Sequence, residues 1–305
     1  MVIKTPYHEG EQAVQKQAGE GGPGWGSPMF DDVIQPGFDQ YLMRQRMLFL
    51  GGADATGAMW SSLVTGEAGF ALPTGRHTIT LSSLPVPGDP LAGAFDETAD
   101  IGLLALEPHT TSRIRINGVA RREGEQLRIR TEQVLGNCPK YLQVRVPVAD
   151  GPAGAPKEIR SGEALTAEQE EWIRGADTFF IASQADGYGA DSSHRGGDAG
   201  FVSVAGPRKL VWPDYFGNSF YMTLGNLQLN ENCGLLFLDW ESGNTLQLTG
   251  KARINWAEGD RAAVPGALRM CEFDIERVVQ IDGATRLRWA FGGPSPYNPP
   301  AAARG

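Results

Sequence analysis

The stretch FIASQADGYGADSSHRGGDAGF, residues 180–201, aligns without a gap on FLGGADATGAMWSSLVTGEAGF, residues 49–70, with 7 identities in 22 positions. A second pair of segments, 101–122 and 233–254, also has 7 identities in 22. The offset between the copies is 131 residues in the first pair and 132 in the second. Two long blocks that hold their register to within one residue indicate an internal duplication of a unit of roughly 110–130 residues, about the size of one domain.

The two copies act as a control for each other. Positions that are alike in both copies are expected to serve the fold, whereas positions that gain polar or charged chemistry in one copy are candidates for function. Leu63 and Val64 of the first copy correspond to His194 and Arg195 of the second. We therefore expect the functional site in the second copy.

Composition sets limits on the class of protein. A chain of 305 residues has room for two domains that each bury a core. The 40 glycines and 20 prolines suit a turn-rich, mainly β chain better than a helical one. The net charge of -9 argues against nucleic acid as a partner, because phosphate backbones attract a basic surface. A single small phosphate needs only a local cationic cluster and is compatible with this charge.

The cysteines and the apolar runs indicate the cellular location of the protein. Cys138, Cys233 and Cys271 are odd in number and widely spaced, which is typical of reduced thiols in a cytoplasmic protein. The first thirty residues show no signal-peptide pattern, and apolar runs such as 235–238 are too short to span a membrane. A cytoplasmic location without membrane partners is therefore expected.

Several common catalytic patterns are missing from the sequence. The four histidines are scattered and form no metal-ligand spacing with cysteine, so no metal site is expected. There is no GxSxG nucleophile motif and no Walker loop. The strand and helix alternation of a Rossmann domain is also missing, so a nicotinamide cofactor would have to bind in another way.

The chain divides into five parts by composition and repeat boundaries. We predict an N-terminal arm at 1–40, a first unit at 41–150, a linker at 151–165, a second unit at 166–292 and a tail at 293–305. The linker is rich in Pro and Gly and has no hydrophobic periodicity.

Short strands with few helices suggest that each unit is a small barrel. Thr166 is a good helix N-cap because Gln169 follows at capping-box spacing, and Gly175 is a typical stop. The corresponding helix of the first unit is expected at 39–46. Strands of the second unit are predicted at 178–183, 200–204, 208–212, 219–223, 233–238, 245–254 and 271–281.

Asn117-Gly118 alone would predict a tight hairpin turn. Its counterpart in the second copy is Thr249-Gly250, where no asparagine supports a turn. The shared feature is the glycine, which favours a β-bulge or a close backbone approach inside a long strand.

Four stretches could carry chemistry. Ser192–Arg195 combines hydroxyls, an imidazole and a guanidinium at the end of an apolar strand, and these groups suit a phosphate or the polar edge of a flavin, with a solvated turn as the alternative. Arg208–Tyr215 is a basic strand that ends in an aromatic turn. Thr223–Asn226 could offer donors to an anion in a tight turn. Cys138 has no adjacent Cys or His to activate it, so an inert thiol is favoured over a redox one.

Three segments of the second unit resemble the FMN-binding split barrel of the pyridoxamine 5′-phosphate oxidase-like family. They are DSSHRGGDAGFV, RKLVWPDYFGNSFYMTLGN and GLLFLDWESGNTLQLTGKA. HEGEQAVQ at 8–15 and GNCPKYLQ at 136–143 resemble a subgroup in which a tandem split barrel stands alone or precedes a ferredoxin-reductase-like module. The resemblance implies a mainly β fold of two such barrels with a few short helices.

The resemblance also implies an FMN site along the second barrel. Asn226-Leu227 replaces the basic Arg-Lys pair of true pyridoxamine phosphate oxidases, and Arg286–Trp289 does not match their C-terminal substrate motif. A vitamin B6 substrate is therefore not expected. The cofactor-binding residues implied by the resemblance are Ser193, His194 and Arg195 at the polar edge, Lys209, Val211, Trp212, Pro213 and Asp214 along the ring and ribityl chain, Thr223, Gly225 and Asn226 at the phosphate turn, and Thr245 and Gln247 facing the ring.

The expected function is an FMN-dependent oxidoreductase that acts on an unidentified small molecule or electron acceptor, with NADH, NADPH or a separate reductase as the source of electrons. His194 is the one candidate for a catalytic acid or base. The alternative is a non-enzymatic flavin or haem binder, or an accessory unit of a separate reductase. A homodimer is expected, although the two units could instead pair within one chain and make a self-sufficient monomer.

Overall fold

The computed structural model describes residues 7–21, 30–152 and 158–299. Parts of the predicted arm, linker and tail therefore lie outside the described residues. The helices are α1 (Glu9–Ala18), α2 (Phe38–Arg44), α3 (Ala167–Gly175), α4 (Met222–Leu229) and α5 (Glu258–Ala262). The strands of the first half are β1 (Met47–Ala53), β2 (Met59–Thr65), β3 (Ala71–Gly75), β4 (Thr78–Leu81), β5 (Ala99–Glu107), β6 (Ser112–Glu123), β7 (Gln126–Gly136) and β8 (Val144–Pro147). Those of the second half are β9 (Glu158–Gly162), β10 (Thr178–Ala185), β11 (Gly189–Gly196), β12 (Ser203–Gly206), β13 (Lys209–Asp214), β14 (Asn232–Leu238), β15 (Thr245–Asn255), β16 (Arg269–Asp282) and β17 (Trp289–Gly293).

The two main sheets have the same strand order. In the first unit the order is β2-β1-β5-β6-β7-β4-β3, and in the second it is β11-β10-β14-β15-β16-β13-β12, with β9 added to β16. Every strand of the first sheet thus has its counterpart at the same place in the second. The predicted fold class, a mainly β chain built as two split-barrel units with a few short helices, is confirmed.

The predicted bulge is confirmed in both units. The register between β6 and β7 shifts between Asn117 and Gly118, and that between β15 and β16 shifts between Thr249 and Gly250. A Cβ atom at Gly118 would collide with the carbonyl oxygen of Arg130 on the neighbouring strand. A Cβ atom at Gly250 would collide with the carbonyl oxygen of Asp274 in the same way. Glycine is therefore required by the close approach of two strands, and not by a hairpin turn.

The predicted helix of the second unit is confirmed with its capping box. The Thr166 side chain accepts a hydrogen bond from the Gln169 backbone N–H, and the Gln169 side chain accepts one from the Thr166 N–H in return. Gly175 is the last residue of this helix and does not lie beyond it. In the first unit α2 covers 38–44, close to the predicted 39–46.

The strand predicted at 219–223 was wrong. The segment turns at Ser219 and Tyr221 and then enters α4, which also contains Thr223–Asn226, predicted as a tight turn. Ser192–Arg195 lies within β11, a strand that was not predicted, because both of its faces are buried and the usual alternation is hidden. Within the predicted linker, 158–162 forms β9, since its backbone completes the edge of β16.

The units pack together through β1, β2 and β5 of the first and β10, β11 and β14 of the second. Gly102 and Gly234 occupy equivalent positions in the two copies. A Cβ atom at Gly102 would collide with the backbone of Asp191 on β11, and one at Gly234 would collide with the backbone of Trp60 on β2. Asp191 and Trp60 are themselves equivalent. The units therefore meet as a symmetric pair within one chain.

Hydrophobic residues fill both units and the space between them. One cluster lies within the first unit, a second within the second unit, and a third mixes residues of both. The third includes Leu63, Leu104, Leu236 and Trp240. No helix among the described residues has the length and apolar character needed to cross a bilayer.

Candidate functional site

A polar pocket lies where the two units meet. Its cavity volume is about 110 Å³. One wall comes from the first unit and the segment after it, and the other from β11, β13 and the turn before α4. The wall residues include Arg113, Arg115, Asn137, Cys138, Lys140 and Tyr141 on the first side, and His194, Arg195, Pro213, Asp214, Tyr215, Ser219, Tyr221, Met222 and Thr223 on the second.

Arg113 ties the two sides of the pocket together. This buried side chain extends from β6, and its Nε donates to the carbonyl oxygen of Cys138 at 2.7 Å. Its Nη1 lies 2.8 Å from Nδ1 of His194 on the opposite unit. Burial, followed by the proximity of Arg115, lowers the pKa of Arg113 to about 9. The guanidinium therefore stays charged at neutral pH and holds the GNCPKYLQ segment against the second unit.

Arg115 anchors a buried polar network. Its Nε lies 3.2 Å from Oδ1 of Asp191, and its Nη2 donates to Ser193 Oγ. The Thr223 hydroxyl lies 2.9 Å from both Asp191 Oδ2 and Ser193 Oγ. Burial lowers the pKa of Arg115, and the Asp191 carboxylate opposes that effect. The network joins β6, β11 and the first turn of α4, so it fixes the floor of the pocket.

His194 is held as a neutral donor. Since an arginine can only donate, its contact with Arg113 Nη1 requires Nδ1 to be the acceptor, which leaves the proton on Nε2. Burial, together with the positive charges of Arg113, Arg195 and Arg145, lowers the pKa of His194 well below its ordinary value. Nε2 is buried and makes no hydrogen bond within the described residues. A buried N–H without an acceptor is costly.

Arg195 lines the pocket from β11 of the second unit. Its side chain is half-buried, and its Nη1 donates to the carbonyl oxygen of His194 at 3.1 Å. It forms no ion pair with any of the described carboxylates. Asp214, on the same wall, is buried, and its Oδ2 lies 3.4 Å from Nε of Arg269. Burial raises the pKa of Asp214, and Arg195 and Arg269 oppose the rise.

Aromatic side chains and strained backbone surround the mouth. The rings of Tyr141 and Tyr215 lie 5.2 Å apart, and the Lys140 ammonium sits 4.2 Å from the centre of the Phe216 ring, which is half exposed. Tyr141, Ser219 and Tyr221 all have φ between 60° and 63°. Left-handed backbone in non-glycine residues is costly and is concentrated at ligand sites in proteins.

The structure brings together part of the predicted set. His194, Arg195, Pro213, Asp214 and Thr223 line the pocket, and Ser193 belongs to the network at its floor. The other predicted residues lie elsewhere. Lys209 pairs with Glu272 at 2.6 Å on the outer surface, Trp212 packs in the core of the second unit, Val211 is half-buried beside it, and Gly225 and Asn226 lie under α1.

Thr245 and Gln247 are not in this pocket. Gln247 Nε2 donates to the carbonyl oxygen of Ser61 and the hydroxyl of Ser62, both at 3.0 Å, and so faces the first unit. Because the units pair symmetrically, β5 and β6 of the first unit contact β11, and β14 and β15 of the second unit contact β2. The residues equivalent to Thr245 and Gln247 are Arg113 and Arg115, which do line the pocket.

Arg113 and Arg115 were not among the predicted site residues, although a difference between the two copies marks them. At the matching positions the second copy has Thr245 and Gln247, so the first copy is the one that gains charge. A charge gained in the first copy is as informative as one gained in the second, and this signal marks the two arginines.

The symmetry-related position on the other side of the interface is closed. It carries Leu63, Val64, Thr245 and Gln247 in place of the cations and the histidine of the pocket. The buried carboxyl of Asp89 receives hydrogen bonds from Ser62 and from Gln247 Nε2, the latter at 3.0 Å. Burial raises the pKa of Asp89 to about 6. The three arginines and the histidine that line the pocket are therefore replaced at this position by two apolar and two neutral polar residues, beside one added acid.

No family model and no curated protein matches the chain. Solved structures that resemble it include HupZ of Group A Streptococcus, with 14% identity, 43% of this chain and 98% of that chain covered, and a TM-score of 0.31. A pyridoxinephosphate oxidase-family protein of Clostridium acetobutylicum has 13% identity, coverages of 41% and 92%, and a TM-score of 0.29. An FMN-binding protein of Syntrophomonas wolfei has 12% identity, coverages of 37% and 86%, and a TM-score of 0.28. Each is thus matched over less than half of this chain, and the similarity is one of fold.

Proposed function

We propose that the chain binds FMN in the pocket between its two units and acts as an FMN-dependent oxidoreductase. The observation that carries this proposal is a set of cations around one pocket, Arg113, Arg115, Lys140 and Arg195, beside the unpaired Nε2–H of His194. In a chain of net charge -9, such a cluster is a local specialisation for an anion.

The residues present fit a flavin mononucleotide. The cationic lining of the pocket suits a phosphate, because arginine forks match phosphate oxygens. The lining also includes Tyr141 and Tyr215, whose aromatic side chains suit a planar ring. The buried N–H of His194 would gain an acceptor from a ligand rich in oxygen and nitrogen atoms.

Charge balance supports an anionic ligand over a neutral one. Arg115 is offset by Asp191, and Asp214 is offset by Arg269. Arg113 contacts carbonyl oxygens and a neutral imidazole, and Arg195 contacts one carbonyl oxygen, so their charges are not neutralised. Two uncompensated guanidinium groups match the charge of a phosphate monoester.

The flavin, when bound, supplies the redox chemistry, and the protein supplies binding, orientation and exclusion of water. Arg113 and Arg195 would supply the positive charge that binds the phosphate, and the Arg115 network would keep the floor of the pocket in place. His194 keeps the same protonation state through neutral pH, because burial and the neighbouring cations disfavour the imidazolium, and its Nε2–H would donate to the bound ligand. This role replaces that of a general acid or base, for which a pKa near neutrality is needed.

The visible spectrum of the purified protein, before and after addition of FMN, tests the proposal. Flavin absorption bands and saturable quenching of FMN fluorescence are expected, and reduction by NADH, NADPH or an added reductase then identifies the electron donor. A Soret band would favour a haem binder instead. Bound FMN that no donor reduces would favour a non-enzymatic carrier, and no chromophore with no FMN binding would contradict the proposal.

A further inference from the structure

The N-terminal helix α1 lies directly on α4. A Cβ atom at Gly10 would collide with the carbonyl oxygen of Gly225, and one at Gly225 would lie 2.6 Å from the backbone nitrogen of Glu11. The two helices therefore touch backbone to backbone at a pair of glycines. HEGEQAVQ was predicted as a family motif, and Gly225 was predicted to bind the cofactor. In the structure both take part in the packing of α1 on α4.

His8 links this contact to the sheet. Its Nδ1 accepts hydrogen bonds from the backbone N–H groups of Gly10 and Glu11, at 3.1 and 3.4 Å, and so caps α1. Its Nε2 lies 3.0 Å from Asn226 Oδ1 on α4 and is the donor, because Nδ1 is occupied as an acceptor. Asn226 Nδ2 in turn donates to Ser183 Oγ on β10 at 3.1 Å. The arm, α4 and the second sheet form one connected chain of hydrogen bonds.

The other end of α1 reaches the wall of the pocket. Gln15 is buried, and its Nε2 donates to the carbonyl oxygen of Ser219 at 3.2 Å. The Ser219 hydroxyl donates to Glu20, just beyond the helix. Ser219 and Tyr221 both have a φ of 60°, and both line the pocket. Strained backbone of this kind persists only where surrounding contacts hold it.

We propose that α1 is a positioning element that holds α4 and the strained Ser219–Tyr221 turn in the shape that binds the ligand. His8, Gly10 and Gln15 make this contact, and none of them lines the pocket. The effect on FMN rests on the proposed function, whereas the effect on the turn does not.

Hydrogen exchange of residues 217–229 tests the positioning role without any ligand. Gln15→Ala removes the contact with Ser219, and Gln17→Ala is the matched control, because Gln17 is exposed on the same helix. We expect exchange of the turn and α4 to become about tenfold faster in Gln15→Ala and to stay unchanged in Gln17→Ala. Unchanged exchange in a folded Gln15→Ala protein would overturn the proposal.

A second variant separates capping from positioning. Asparagine is a good N-cap, so His8→Asn keeps the start of α1 but is too short to reach Asn226. Faster exchange in α4 with an intact α1 supports the proposal, and α4 protection equal to that of the wild type overturns it. FMN affinity is then measured for the same proteins, and a loss of about three- to tenfold is expected in both Gln15→Ala and His8→Asn. If the wild type binds no FMN, the proposed function fails, and the exchange result alone decides the role of α1.

Discussion

Phe49 and Phe180 are equivalent residues of the two copies, 131 positions apart, and their rings stack on each other with centroids 3.3 Å apart and planes 11° from parallel. Phe49 lies on β1 and Phe180 on β10, and both are fully buried. Two equivalent residues that stack on each other lie on the pseudo-twofold axis that relates the two units. The pocket on one side of this axis is open and cationic. The equivalent position on the other side is closed and contains Asp89.

Phe180→Ala should lower the free energy of unfolding by about 3–5 kcal/mol, because it leaves a cavity between two units that share a core. Phe291→Ala is the control, since Phe291 is 59% exposed and should have little effect. Denaturant unfolding followed by circular dichroism measures both. A loss below about 1 kcal/mol in Phe180→Ala would show that the stack is not part of the core that joins the units.

Arg113→Thr should weaken FMN binding by at least about tenfold, because a charge-assisted contact contributes about 1.5–3 kcal/mol. Threonine is the residue of the second copy at this position, Thr245, so the strand tolerates it. Arg128→Thr, on the exposed face of β7, is the control. Fluorescence titration with FMN, together with the melting temperature, separates a binding defect from a folding defect. Wild-type affinity in Arg113→Thr would exclude the first unit from the site.

Arg195→Leu should also lower FMN affinity by about tenfold or more while the fold stays intact. The equivalent position in the first copy is Val64, so an apolar side chain fits this strand. Arg253→Leu is the matched control, because Arg253 pairs with Glu231 and Asp274 on the surface, at 2.9 Å each. Calorimetric titration of both variants with FMN measures the affinities. An unchanged FMN affinity in Arg195→Leu would show that Arg195 is not part of the site.

The sequence predicted the features that depend on local or repeated patterns. The equal strand order of the two sheets is what the predicted duplication implies, the start of α3 follows from the capping box at Thr166, and the bulges follow from Gly118 and Gly250. Strand β11 was not predicted, because its residues are polar although buried. Their partners, such as Arg115 for Ser193, lie about 80 residues away in sequence, and local patterns do not report them.

The same reason explains why Thr245 and Gln247 lie outside the pocket. The family resemblance implied that both face a ring bound by the second unit. In the structure each unit contributes strands to the opposite unit's side of the interface, so β6 lines the pocket beside β11, and β15 faces Ser62 and Asp89. Such an exchange depends on how the two units pair, which the sequence left open.

The pairing of units within one chain leads to a prediction about assembly. Both walls of the pocket belong to one chain, so FMN affinity should not depend on protein concentration. The homodimer stays a prediction of the family resemblance, with an expected mass of twice 32.8 kDa. Light scattering at micromolar concentration measures it, and a mass near that of one chain would contradict the dimer. An FMN affinity that falls on dilution would show that a second chain completes the site.

Glu11 should make the protein less stable as the pH rises. Burial raises the pKa of this α1 carboxyl from an ordinary 4.5 to about 8, and the charge of Asp191 adds to the rise. The folded state therefore favours the protonated form, and that stability is fully present below pH 4.5 and is lost as the pH rises through 8. Asp89, with a pKa of about 6, contributes in the same direction at lower pH.

Glu11→Gln tests this effect, because glutamine keeps the capping box with His8 and carries no charge. We expect the variant to match the wild type near pH 5 and to have a higher melting temperature at pH 9, so that the two stability curves diverge as Glu11 ionises. Glu9→Gln, on the exposed side of the same helical turn, should follow the wild-type curve throughout. Melting temperatures measured from pH 5 to pH 9 provide the comparison. Parallel curves for Glu11→Gln and the wild type would show that Glu11 ionises without cost, and hence that α1 is not packed on α4 in solution.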